Sequence, residues 1–376
     1  MQPDLSDSIE TPQLFLDLPR LRANCQRMRS HLAGHAVALR PHVKTAKSVE
    51  VTRIALGADT GPITVSTLKE AEHFFSRGYR DILYAVGIVP GKLQRAAALK
   101  RAGCEIKLVL DTAVAAAALA DFCAREDIVL PALVEIDTDG HRAGVAPDSQ
   151  LLLDIGAVLG PAGLLGGVMT HAGNSYNSQS TADIQAWARR EREGIVLAAE
   201  RLRAAGHAVP VVSVGSTPTA LMGTSFAGVT EVRAGVYMFF DLVMAGLGVC
   251  AVDDIALSVA TTVIGHQDEK GWVITDGGWM ALSRDRGTQK QAVDQGYGLV
   301  CDASGKVLPG IVVVDANQEH GVIAARDGGA LSPTDFPVGR VLRILPNHAC
   351  ATGAQHRGYL VLDGDHTQHW ERINGW

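Results

Sequence analysis

The 376-residue chain has no closely spaced cysteine pair: Cys25, Cys104, Cys123, Cys250, Cys301 and Cys350 are scattered, and no CxxC occurs. At this length the pattern reads as reduced thiols, which excludes a disulfide-stapled scaffold. Nor is there a positive excess. With 34 Lys and Arg against 40 Asp and Glu, the formal charge is −6 and the pI about 6.1. That leaves no electrostatic footprint for nucleic acid or an anionic membrane surface. The most apolar stretch, 151–170, is interrupted by Asp154, Pro161 and several glycines. It suits a helix, a loop and a strand better than a membrane span. The opening MQPDLSDSIETP is polar and acidic, unlike a secretory signal, so a cytoplasmic location is expected. No GxGxxG or GxxxxGK[ST] follows any strand candidate, and there is no internal repeat or low-complexity segment.

Eight β-rich runs alternate with helical patterns between residues 37 and 235: 37–40, 63–66, 82–86, 106–110, 131–136, 164–170, 209–214 and 230–234. The longest helical segment, 181–206, has Ser180 or Thr181 as its cap and Gly206 as its end. Eight alternating units predict a parallel α/β sheet closed into a TIM-type (β/α)8 barrel, with an open doubly wound sheet as the alternative. After about residue 247, IALSVATTVIG, GWVIT, GIVVVD, RVLRIL and GYLVL read as antiparallel strands. The expected organisation is a barrel over 15–247 and an antiparallel β-domain over 248–376, with residues 1–14 packing on the β-domain.

Function on a barrel collects at the carboxyl ends of the strands. Past the first strand lies PHVKTAKS, with His42, Lys44 and Lys47; past the fifth, EIDTDGHRAG, with Asp137, Asp139, His141 and Arg142. The sixth leads to His171 and Tyr176, the seventh to Ser213, Gly215, Ser216 and Thr217, the eighth to Arg233, Gly235, Tyr237 and Asp241. GSTPT offers backbone N–H groups and hydroxyls suited to a phosphate, although alone it also reads as a helix-capping turn. A lone lysine is usually a solvated charge. A lysine and a phosphate loop on one rim, however, suit an aldehyde cofactor with a phosphate tail, and Lys44 is the candidate carrier. In PNHAC, His348 and Cys350 are two apart, which on an extended strand puts both on one face with a donor set that suits Zn²⁺. An isolated HxC reads more readily as a core cysteine beside a hydrogen-bonded histidine. Arg284 and Arg286 form either a carboxylate clamp or surface charge. Glu319 and His320 read as an outer support or a polar turn.

Taken in order, TPQLFLDLPRLRANCQRM, RPHVKTAKS, THAGNSY, VGSTPT, AGVYMFFD and PNHAC resemble the fold-type III pyridoxal-phosphate enzymes, in the family of the D-serine dehydratases and D-threonine aldolases. The resemblance spans nearly the whole chain. The segments ITVSTLKEAE, EIDTDGHR and PNHACATGAQ sit nearest the dehydratases of D-threo-3-hydroxyaspartate. It implies an alanine-racemase-like barrel followed by a β-domain, pyridoxal 5′-phosphate on Lys44, and a phosphate held by Ser213, Gly215 and Ser216, with Thr217 beside them. Tyr176 would lie by the cofactor, with Arg142 or His171 near its ring. His348 and Cys350 would bind a divalent metal, Zn²⁺ ahead of Mn²⁺ or Co²⁺, and the enzyme would be a homodimer. Aldolases of the family carry His-x-Asp at the metal position, so His-x-Cys implies β-elimination. The expected reaction converts D-threo-3-hydroxyaspartate to oxaloacetate and ammonia, or D-serine to pyruvate. A D-threonine-type aldolase and a non-catalytic pyridoxal-phosphate-binding protein are the alternatives.

Overall fold

Eight short strands alternate with helices: β2 (Ala38–Pro41), β3 (Ile63–Val65), β4 (Asp81–Tyr84), β5 (Glu105–Leu110), β6 (Ala132–Ile136), β7 (Leu165–Thr170), β8 (Val211–Val214) and β9 (Glu231–Ala234), after an initial β1 (Gln13–Asp17). The structure is a computed structural model and describes residues 9–376. All eight barrel runs read from the sequence form strands. They pair in parallel, each with the next, and β9 returns to pair with β2. A bridge between His42 and Thr64 closes the ring between β2 and β3. Barrel strands are covered on both faces, which is why they read as apolar runs rather than alternating ones.

The barrel interior is layered. At the amino ends of the strands, Arg40 binds Glu231 through Nε (2.7 Å) and Asp81 through Nη1 (3.0 Å), and Lys107 binds Asp81 at 2.6 Å. Above these paired charges lies an apolar layer of Leu83, Val109, Leu133 and Met169. The longest helix, Thr181–Ala204, is capped by Ser180, whose side chain accepts from Asp183 N–H, and Gly206 follows its end at φ +88°. The 151–170 stretch resolves into helix Gln150–Leu159, a turn and β7.

The chain divides into two compact units. One holds Cys25–Gly235 with the last two residues, and the other joins the N-terminal stretch through Asn24 to Val236–Asn374. The second is built on a nine-stranded sheet. Its further strands are β10 (Leu257–Gln267), β11 (Trp272–Thr275), β12 (Leu299–Cys301), β13 (Val307–Ala316), β14 (Gly321–Ala325), β15 (Val341–Leu345), β16 (Gly358–Asp363) and β17 (His366–Glu371). Their order is β11-β14-β13-β12-β15-β10-β1-β16-β17. The sequence places residue 15 at the start of the barrel, but β1 belongs to this sheet, antiparallel to β10 and parallel to β16. The reason is packing: Phe15 sits with Ala260, Val341, Leu360 and Leu362 in the core of this unit. The division at Gly235 likewise falls before 247. Residues 1–8, assigned to the β-domain from sequence, lie outside the described residues.

Candidate active site

Lys44 follows β2 on a turn at the barrel mouth, with an exposed side chain. The neighbouring Lys47 is committed elsewhere, ion-paired with the buried Glu70 at 3.1 Å. Near Lys44 two histidines are held without charge. His171 donates from Nδ1 to the carbonyl of Gly215 (2.7 Å), which leaves Nε2 as an acceptor. Burial, reinforced by the positive charges of Lys44, Arg142 and Arg233, pushes the His171 imidazole down to about 3. Burial and the same kind of cationic neighbours hold His42 well below the usual histidine range. Its Nδ1 is buried with no hydrogen-bond partner among the described residues. The buried Arg233 donates to Ser213 Oγ and to the Thr170 carbonyl, both at 2.5 Å.

The predicted phosphate loop is only partly free to serve as one. Gly215 N–H donates to Glu191 Oε1 (2.9 Å), and Ser216 N–H points to Thr219 Oγ1 (3.3 Å) within a capping box. Gly215 matters instead for its backbone: at φ +155° a Cβ would lie 1.7 Å from the Arg233 carbonyl, so only glycine fits. Ser213 is fully buried, donating to Glu231 at 2.7 Å and accepting from Arg233, because alternation along β8 turns it into the barrel. It is therefore not placed as a phosphate ligand. Ser216 Oγ meets Ser175 Oγ at 3.0 Å, and Thr217 opens helix Thr217–Met222. Tyr176 stands on a short 3-10 turn with its ring 6.2 Å from that of His171. Arg142 is largely exposed and pairs loosely with Glu135 (3.3 Å).

Glu191, which sequence reasoning passed over, ties these loops together. Its Oε1 accepts from Ala172 N–H (3.2 Å) and Gly215 N–H (2.9 Å), joining the turn after β7 to the turn after β8. A signal was present: Glu191 falls at helical spacing from Ile184 and Ile195, on the buried face of its helix. An exposed amine, an unspent buried imidazole nitrogen and a hydroxyl-bearing turn on one rim fit the expected phosphate-bearing aldehyde cofactor.

In the other unit, His348 and Cys350 also come together, though not on a strand. His348 is the extended N-cap of the short helix Ala349–Gly353, and this turn brings the two side chains into a hydrogen bond. Asp285, between the two arginines singled out earlier, binds His348 Nδ1 through Oδ2 at 2.6 Å. Burial disfavours charge on His348, but Asp285 and Cys350 outweigh it and lift the imidazole to about 11. An imidazole set between a carboxylate and a thiol is a site where a divalent cation can replace the proton, so the residues fit a metal. Among the described residues, no three His, Cys, Asp or Glu side chains are arranged to share one ion. Asp241, buried, caps helix Leu242–Gly246 with one oxygen and accepts Ala349 N–H (3.0 Å) with the other. Arg286 is paired with Asp294 (2.6 Å) over the Tyr297 ring, and Arg284 lies over Trp279. Pairing with Asp294 occupies one of the two terminal nitrogens of Arg286. Glu319 and His320 are exposed on the turn before β14.

Comparison with known proteins agrees with this architecture. The family profile of the alanine racemase N-terminal domain matches residues 16–243, and that of a serine dehydratase domain matches 256–362. D-threo-3-hydroxyaspartate dehydratase of Delftia sp. (strain HT23) is 56% identical over 374 residues, covering 98% of each chain. Its solved structure superposes with a TM-score of 0.96 at 55% identity, covering 98% of this chain and 99% of that one. A cysteine-to-alanine variant of that enzyme, described as the metal-free form, matches equally, with a TM-score of 0.96. D-serine dehydratase of Schizosaccharomyces pombe is 30% identical, covering 98% of this chain and 92% of its own. The chain belongs to the alanine-racemase-fold family of the D-serine dehydratases and D-threonine aldolases.

Proposed function

We propose that the chain is a dehydratase of D-β-hydroxy amino acids, using pyridoxal 5′-phosphate and a divalent metal to convert D-threo-3-hydroxyaspartate to oxaloacetate and ammonia. D-Serine, giving pyruvate, is the second substrate. The observation that carries this reading is the His348–Cys350 pair, in a chain that is 56% identical from end to end to a hydroxyaspartate dehydratase. When bound, the cofactor supplies an electron sink for the α-carbon, and the metal supplies Lewis acidity toward the β-hydroxyl.

The chain's own residues supply the rest. Lys44 Nζ would hold the cofactor, and its amine is the base for the α-proton. His171, at about 3, is too weak a base to compete with it, and its Nδ1–H is occupied by the Gly215 carbonyl. Tyr176 packs near the His171 ring and flanks the cofactor, and Thr217, at the helix opening, takes part of the phosphate. Arg142, exposed at the mouth, is a candidate cation for a substrate carboxylate. His348 and Cys350 hold the metal, with Zn²⁺ the expected ion. The family habit supports a homodimer.

The test is turnover of D-threo-3-hydroxyaspartate, D-serine and D-threonine with added Zn²⁺, with product identification and an EDTA control. Oxaloacetate or pyruvate with ammonia, lost on chelation, is the expected result. Glycine with an aldehyde would make the chain an aldolase despite its cysteine.

A further inference from the structure

A metal held by His348 and Cys350 alone has only two protein bonds to fix its position. The aim of the His348 ring therefore weighs more here than in a four-ligand site. That ring is gripped by one carboxylate, Asp285 Oδ2, 2.6 Å from Nδ1. Asp285 is itself anchored at three points. Its carboxylate accepts from Gly287 N–H, its N–H donates to Ser283 Oγ (3.1 Å), and its carbonyl accepts from Asn347 Nδ2 (3.4 Å). Asn347, next to His348 in the chain, is buried; it also donates to the Gly296 carbonyl (2.7 Å) and accepts from Thr288 Oγ1 (3.2 Å). Carboxylate and imidazole are thus fastened to the same scaffold, unlike two surface side chains that happen to meet.

We propose that Asp285 is the positioning residue of the metal turn. It occupies Nδ1, fixes the tautomer and rotation of His348, and leaves the other ring nitrogen to share the metal with Cys350 Sγ. Because no three such side chains are arranged to share one ion among the described residues, Asp285 acts through His348 and is not a third ligand. Its negative charge strengthens the imidazole as a donor, so metal affinity depends on the charge as well as the hydrogen bond. This inference rests on the reading of His348 and Cys350 as ligands.

The test uses cofactor-loaded protein stripped with EDTA, dialysed, and titrated with Zn²⁺ against a chromophoric chelator. Asp285→Asn, which keeps the shape and an acceptor oxygen but not the charge, and Asp285→Ala should each bind Zn²⁺ roughly 10- to 100-fold more weakly. Cofactor absorbance of the metal-free protein should stay at the wild-type value in Asp285→Asn, and the protein should remain folded by circular dichroism. Co²⁺ in place of Zn²⁺ should show a shifted ligand-field spectrum in the same variant. Wild-type Zn²⁺ affinity in Asp285→Asn overturns the inference if His348→Ala and Cys350→Ala lose the metal in parallel. Zn²⁺ binding that survives in His348→Ala and Cys350→Ala overturns instead the assignment of the ligands.

Discussion

Replacing Glu191 should separate shape from charge at the cofactor mouth. In Glu191→Ala the N–H groups of Ala172 and Gly215 lose their shared acceptor inside the protein. Each buried, unpaired donor costs about 1–3 kcal/mol, so the variant should be destabilised by roughly 2–6 kcal/mol. With a urea slope near the upper end for single domains, about 3 kcal/mol per molar, the midpoint should fall by about 1–2 M. The two turns that Glu191 joins carry His171, Tyr176, Ser216 and Thr217. If even about 1.4 kcal/mol of that loss falls on their mutual placement, cofactor affinity drops tenfold. Glu191→Gln presents an oxygen to the same two donors and should keep the cofactor. Its distinguishing property is pH dependence. Burial raises the Glu191 carboxyl above its ordinary 4.5, against the lowering effect of Thr219, Gly215 N–H and Arg233. A raised folded-state value means the folded protein holds the proton more tightly than the unfolded chain. That stabilisation is complete below the ordinary carboxylate range and is lost as pH rises through the folded-state value. The glutamine variant does not titrate, so it should gain on wild type as pH rises above the ordinary carboxylate range toward the folded-state value. Parallel stability curves for the two proteins, or an alanine variant with an unchanged urea midpoint and cofactor affinity, would refute the reasoning.

Lys44→Ala should lose the visible absorbance of bound cofactor and all turnover, whereas Lys47→Ala, which breaks only the pair with Glu70, should keep the chromophore. Gly215→Ala should cost at least about 2 kcal/mol in a denaturant titration, because the new Cβ meets the Arg233 carbonyl at a φ side chains rarely adopt. Asp241→Ala removes a helix cap worth about 1 kcal/mol. It also strands the Ala349 N–H at about 1–3 kcal/mol, so thermal melts should show a loss of roughly 2–4 kcal/mol.

The barrel was legible because most of its strands are apolar runs punctuated by turn residues, a signal carried within a few positions. β17, HTQHWE, lies at a sheet edge with most of its side chains exposed, so it has no buried face to imprint a pattern. β1 reads with the barrel because the boundary falls at residue 15, just before a helix that leads into it. Its true neighbours, β10 and β16, lie hundreds of positions away in the sequence, and only pairing reveals them. The site follows the same division. Lys44, Tyr176, His348 and Cys350 stand out through their place past a strand or in PNHAC together with the family resemblance. What commits or frees a neighbour does not. Ser213 has the chemistry of a phosphate ligand, yet Glu231 and Arg233 hold it inside the barrel. Arg286 has the chemistry of a carboxylate clamp, yet Asp294 already fills that role. Two of the acidic residues that do this ordering, Glu191 and Asp285, sit in polar stretches where an acid is the ordinary surface choice. Their function lies entirely in which amide or imidazole the fold brings to them. A buried acid at helical spacing from core residues, as Glu191 is from Ile184 and Ile195, is the one such clue the sequence displays, because water is the alternative partner it would otherwise have kept.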